Sequence, residues 1–259
     1  MQSQSAVPEQ TPKPTESKTE PKQALQKILF INTALSHKCL GLLVVNNGLL
    51  ADSNFEFIQG QRNDLEQSIK LIEALCKKSQ TQLSEISHVA VVVGPGNFSS
   101  LRVGVIMANT LSANLPNCKL LACNSFDMLA EIAAIKNLPS AILLQQASKT
   151  ELFVSEMQKD SQNLTPKLLK IEELDSNFDR KLILDAMAPQ VILESLTAKN
   201  TQNSTENKTA EQLGVVVTSQ KDICQAAENI LTSQSLNNYL ATAPLEPLYI
   251  KSPNIHVKN

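Results

Sequence analysis

The chain has 259 residues, 42% of them hydrophobic, and a formal net charge of −2. That length admits one large domain or two small ones, and with seven Phe, two Tyr and no Trp the cores must be built from Leu, Ile, Val and Ala. The charge argues against a free-standing nucleic-acid binder, which shows a basic surplus or stripe, so any RNA phosphates must be met mainly by another subunit. No apolar run reaches the roughly 18 residues of a membrane helix.

Residues 1–24 are rich in Gln, Pro, Ser, Thr, Glu and Lys. They carry too little apolar surface to offset chain entropy, so residues 1–26 are expected to be a disordered tail. No signal-peptide core is visible there. The five cysteines form no CxxC pair, which fits reduced thiols in a cytoplasmic protein. Order is expected from Lys27 to Asn32 as a first strand and from Cys39 to Val45 as a second. Asn46-Asn47-Gly48 is a hairpin turn signal, because these residues tolerate positive φ, and Leu49 to Phe57 returns as a third strand. Asp64 to Lys78 has helical spacing, with Leu65, Ile69, Ile72 and Cys76 on one stripe. A strand over 86–93, a helix over roughly 98–115, a strand at Leu120 to Cys123 and a helix over Ser125 to Ile135 follow. The order of a meander, then helix, strand, helix, strand predicts a mixed sheet of the ribonuclease-H-like type over 27–137. The pattern restarts weakly over 138–259. Ala141 to Gln145 and Leu152 to Ser155 read as a hairpin, with further apolar segments at 181–184, 191–196 and 215–217, a helix over Ser219 to Leu231, and a polar loop over 199–212. Two α/β lobes, the second degenerate, are expected.

Three of the seven glycines fall in Gly94-Pro95-Gly96-Asn97-Phe98-Ser99-Ser100-Leu101-Arg102-Val103-Gly104, where a strand passes into a helix. Glycines there let the backbone turn sharply and approach a ligand or the sheet closely. The helix N-terminus that follows could hold an anion. The run is therefore either a phosphate loop or a tight packing corner. The helix after it is apolar on nearly all faces, so more than one face must be covered. Gly104, Ala108 and Ser112 form a small-residue row along which another helix could approach. Helix 64–78 or a partner chain could fill that space.

The groups for chemistry are sparse. The P-loop pattern is absent, and GxGxxG fails because Ser99 stands at its third glycine. Asn32 and Thr33, after the first strand, could face a phosphate together with Gly94, Gly96 and Ser99, but Asn32 lacks the charge of a magnesium anchor. His37, His88 and His256 form no helix-borne metal pair. His88 reads as structural, and His37 as a solvated loop residue.

Together these residues resemble the TsaB (YeaZ-type) family, a subunit of the bacterial machinery that makes threonylcarbamoyladenosine in tRNA. The family run GPGSFTGLRIG is matched by residues 94–104, its Asp-Thr-Ser strand end by Asn32-Thr33-Ala34, and its Pro-x-Tyr-Leu-Arg-x-Pro tail by residues 247–253. The chain departs from the family at Asn32, at Ser100, at Asp64, at Gln146-Ala147-Ser148 and at Ala186-Met187. The resemblance implies a two-lobed actin/Hsp70-like fold with no catalytic activity or cofactor of its own. It also implies a catalytic paralogue of TsaD type, an ATPase of TsaE type, and contact with tRNA only through the complex. The expected interface comprises Leu65, Ile69, Ile72, Leu101, Gly104, Val105, Ala108 and Ser112. The alternative is an actin-like small-molecule phosphotransferase binding ATP at Asn32, Thr33 and the 94–99 loop; a homodimeric regulator is a third reading.

Overall fold

The computed structural model describes residues 25–59, 64–158, 164–174, 180–187, 189–200, 209–210, 213–232 and 234–250. The expected tail therefore lies outside the described residues except at its last two positions. The same holds for most of the polar loop and for the end of the tail motif.

Strands β1 (Gln26–Asn32), β2 (Cys39–Asn46) and β3 (Leu49–Phe57) form the predicted meander. Its turn has Asn47 and Gly48 at φ 52° and 77°, the left-handed pair that matches the strand twist. Helix α1 (Asp64–Lys78), β4 (His88–Val92), α2 (Phe98–Asn114), β5 (Lys119–Cys123) and α3 (Ser125–Ile135) follow. Helix α3 starts at Asn124, whose side chain accepts from the amides of Phe126 and Asp127, while Asp127 accepts from the Asn124 amide. That reciprocal cap fixes the start of the helix at the end of β5. The second unit contains β6 (Ser140–Gln146), β7 (Glu151–Gln158), β8 (Lys167–Lys170), β9 (Lys181–Asp185), α4 (Pro189–Asn200), β10 (Val215–Val217) and α5 (Gln220–Thr232). A short β11 (Leu240–Ala241) ends the order.

The first sheet runs β11-β5-β4-β1-β2-β3 and the second β10-β9-β6-β7-β8. In each, an antiparallel meander is joined through its first strand to a parallel segment. The two sheets thus repeat one topology. Where the first has α1, the second has only a single turn at Ile171–Glu173 among the described residues, which is the physical content of its degeneracy. Residues 191–196, read only as an apolar segment, lie in α4. Strands β8 and β11 were not anticipated, and β11 returns the chain to the first sheet, so 138–259 does not all belong to the second lobe.

Strand alternation builds three cores. Ile28 and Phe30 of β1 meet Phe126 and Ile132 of α3, Ile223 and Ile230 of α5, and Leu143 and Ile183 of the second sheet. Leu29 and Ile31 point the other way, to Ile72 and Leu75 of α1 and Val105 and Ala108 of α2. Leu144 and Leu184 pack against Ile192 and Leu196 of α4 on the far face of the second sheet. The layers are therefore α1/α2, sheet, α3/α5, sheet, α4, with the middle helices shared by both sheets.

Candidate functional site

In open α/β sheets the ligand crevice lies outside the carboxyl ends of the parallel strands. Here those ends carry Asn32 and Thr33 (β1), Gly94 (after β4), Ser125 (after β5), Gln145 (β6), Asp185 (β9) and Thr218 (after β10). The structure brings the groups from both sheets together, and they bond to one another.

Gln145 is buried, and its amide group bridges the lobes. Its Nε2 donates to the carbonyls of Ala34 (3.1 Å) and Pro95 (3.0 Å). The Ser125 hydroxyl lies 2.7 Å from Gln145 Oε1 and 3.0 Å from the Pro95 carbonyl, with one proton to share between them. Asp185 makes the second bridge. It accepts from the Ser36 amide (3.0 Å to Oδ2), the Ser36 hydroxyl (2.6 Å) and the Thr218 hydroxyl (3.0 Å). Burial pushes the Asp185 carboxyl above the ordinary carboxylate range, and the donors from Ser36 and Thr218 and the nearby His37 only partly oppose this. His37 is half-buried rather than free in its loop; its Nε2 donates to the Thr218 carbonyl at 3.0 Å.

Asn32 faces no open phosphate position. Its Oδ1 accepts from the amides of Ala34 and Leu35, both at 3.2 Å, and its Nδ2 donates to the His37 carbonyl at 2.9 Å. An asparagine holding its own loop in this way forms an Asx-type turn. Thr33 is buried with an unpaired Oγ1 packed on Gly104. Ser99 is exposed on the first turn of α2.

The glycine run is a packing corner. A Cβ on Gly96 would stand 2.7 Å from the Ala34 carbonyl, and one on Gly94 2.8 Å from the Leu248 carbonyl. Gly94 also holds φ at +121°. Its carbonyl accepts from the Ser125 amide at 2.8 Å, and the Leu248 amide donates to the Val93 carbonyl at 2.7 Å. Four segments thus converge on the corner: the loop after β1, the start of α3, the end of β6, and the C-terminal strap over 245–250.

The expected partner surface also changes. Ile72, Leu101, Val105 and Ala108 are buried within this chain, and Gly104 packs against Thr33, so this row faces inward. Ser112 is half-buried. Leu65 lies in α1, with its side chain outside the described residues. The solvent side of α2 is instead Arg102, Ile106, Thr110 and Ala113. Ile106 is 54% exposed, and Ile69 on α1 is 50% exposed. Among the described residues no group of three or more His, Cys, Asp and Glu could hold a metal, and no helix is long and apolar enough to cross a membrane.

Sequence reasoning missed Ser36, Ser125, Gln145, Asp185 and Thr218. Gln145, Asp185 and Thr218 share a legible signal, a polar residue closing or directly following an apolar strand.

The fold and crevice define a two-lobed α/β protein of the actin-like ATPase fold. A sequence profile described as TsaD, tRNA N6-adenosine threonylcarbamoyltransferase, matches residues 59–246. The chain belongs to this family. Two solved structures from Pseudomonas aeruginosa share the fold: YeaZ, and an uncharacterized protein with similarity to peptidase YeaZ. Their TM-scores are 0.58 and 0.59 at 15% and 14% identity, covering 87% of this chain and all of theirs. Over 97 residues the chain is 34% identical to the uncharacterized protein MG208 homolog of Mycoplasma pneumoniae and 28% identical to MG208 of Mycoplasma genitalium. Each alignment covers 38% of this chain and 48% of the relative, so the chain spans about half the length of the curated relatives it matches.

Proposed function

We propose that this chain is a non-catalytic subunit that supports a TsaD-type catalytic paralogue in forming threonylcarbamoyladenosine in tRNA. The observation that carries this reading is the crevice between the lobes. Gln145 and Asp185 bond across it to the loop after β1, and Gly96 lies against Ala34. A nucleotide would have to break these bonds to enter, and Asn32 would add no charge to hold its magnesium. Exposed aliphatic side chains on α1 and α2 favour docking of another helical surface there, centred on Ile69 and Ile106 rather than on the buried row. An ATPase of TsaE type would act on the assembled pair, and tRNA would be met through the complex.

The test is depletion of this protein followed by mass spectrometry of bulk tRNA nucleosides. Threonylcarbamoyladenosine should fall, and purified chain alone should not restore it to unmodified tRNA without the catalytic paralogue. An unchanged level after depletion refutes the role. Micromolar Mg-ATP binding with turnover by the isolated chain would favour a phosphotransferase instead.

A further inference from the structure

The described aromatic side chains are divided in an uneven way. Phe30, Phe55, Phe57, Phe126, Phe153 and Tyr239 all belong to or pack on the central core. Phe98 and Tyr249 belong to none of the three cores and instead stack on each other, with ring centroids 4.8 Å apart and planes 31° apart. The Arg102 guanidinium lies 5.5 Å from the Phe98 centroid. Tyr249 is 42% exposed, and Arg102 is exposed.

The stack is held in place from behind. Asn109 of α2 donates to the Leu245 carbonyl (3.0 Å) and accepts from the Leu245 amide (2.8 Å). The Leu248 amide bonds to β4's continuation at Val93. The C-terminal strap is therefore tied to α2 at Leu245 and to the residue after β4 at Leu248, directly before Tyr249. Arg102 has no ion pair among the described residues, and the first turn of α2 has no acidic residue. Glu246 is the one carboxylate on the strap.

We propose that Phe98, Tyr249 and Arg102 form a stacking site for an unpaired base of single-stranded RNA. This rests on the tRNA reading above and names a contact that this chain would add to it. A pre-ordered aromatic pair beside an uncompensated guanidinium suits a nucleobase and its phosphate, because every base offers a π face and Arg both stacks and pairs with phosphate. It needs no basic surplus, which reconciles an RNA contact with a net charge of −2.

The experiment is fluorescence anisotropy of the full chain at low salt, with an RNA hairpin carrying an unpaired loop against a blunt RNA duplex of equal length. The loop should bind more tightly. Tyr249→Phe should bind the loop as wild type does. Tyr249→Leu, which keeps apolar bulk on the strap but removes the ring, should weaken loop binding roughly 5- to 150-fold, the range for one lost base stack. Arg102→Ala should weaken it and flatten the salt dependence by about 0.7 in log–log slope. Equal binding of loop and duplex, or unchanged binding by Tyr249→Leu, overturns the proposal. Displacement of the RNA by ATP at constant ionic strength overturns it in favour of a free nucleotide. If Tyr249→Leu loses the catalytic paralogue but not the RNA, the site belongs to a protein partner and the proposal fails. If loop binding depends on Tyr249 while depletion leaves tRNA modification intact, the stack stands and the subunit reading fails.

Discussion

Gln145→Leu tests whether the crevice is closed by the chain's own bonds. Leucine is close to glutamine in size, so the change removes hydrogen bonding while leaving little space. In the native protein both Nε2 protons are used, at 3.1 and 3.0 Å, and Oε1 sits 2.7 Å from the Ser125 hydroxyl. The variant leaves the Ala34 carbonyl without this donor, while Ser125 can still turn to Pro95 at 3.0 Å. One buried acceptor left unpaired costs about 1–3 kcal/mol, and the lost bonds add about 1 kcal/mol more. Burial of the leucine returns part of this, so a net loss of about 2–3 kcal/mol is expected. The measurement is urea unfolding followed by far-UV circular dichroism, comparing midpoints at unchanged slope. In a thermal scan the same loss lowers Tm by about 4–12 °C. A loss below about 0.5 kcal/mol would mean that water already serves these groups, and the closed crevice would be refuted.

Three further outcomes follow from the same geometry. Gly104→Ala brings its Cβ onto Thr33 Oγ1, so it should destabilise by about 1–3 kcal/mol; Thr33→Ala in the same chain should recover much of this, and strict additivity in the double-mutant cycle would show that the two do not touch. Asp185 has a folded-state pKa raised by burial, so the folded state holds its proton at pH values where the unfolded chain has released it. Its contribution to stability is then present below the ordinary carboxylate pKa and is lost as pH rises through the folded value, at up to about 1.4 kcal/mol per pH unit. Asp185→Asn should remove that slope from stability-versus-pH curves, and an identical slope in the variant would contradict the assignment. Ile106→Arg should leave unfolding within about 0.5 kcal/mol of wild type yet reduce co-purification with the TsaD-type paralogue, whereas Ala108→Arg should unfold the lobe, being fully buried; retention of the complex by Ile106→Arg removes the surface assigned to α1 and α2.

The elements that could be read in advance were those whose signal is local. The Asn46-Asn47-Gly48 turn, the first three strands, and α3 between Ser125 and Ile135 depend on turn chemistry, alternation and a cap within a few residues. The strands β8 and β11 escaped because four and two residues are too few for a periodic pattern. Helix α2 misled in a specific way. Its apolar residues run round most of its circumference, so the need for cover was visible, but the covering elements were not. The sheet and Thr33 cover the Gly104–Ala108 row, and Ile106 is left outside.

The sequence by itself determined the order of helices and strands from β1 to α3, the restart of an α/β pattern in a second lobe and the place of the glycine corner, because each follows from short-range spacing and backbone freedom. Whether that corner cradles a phosphate or a neighbouring backbone was decided only by tertiary structure. Ala34, Gln145 and Leu248 reach it from three distant parts of the chain, and no local pattern states which donor will meet which carbonyl once the two sheets have closed on their shared helices.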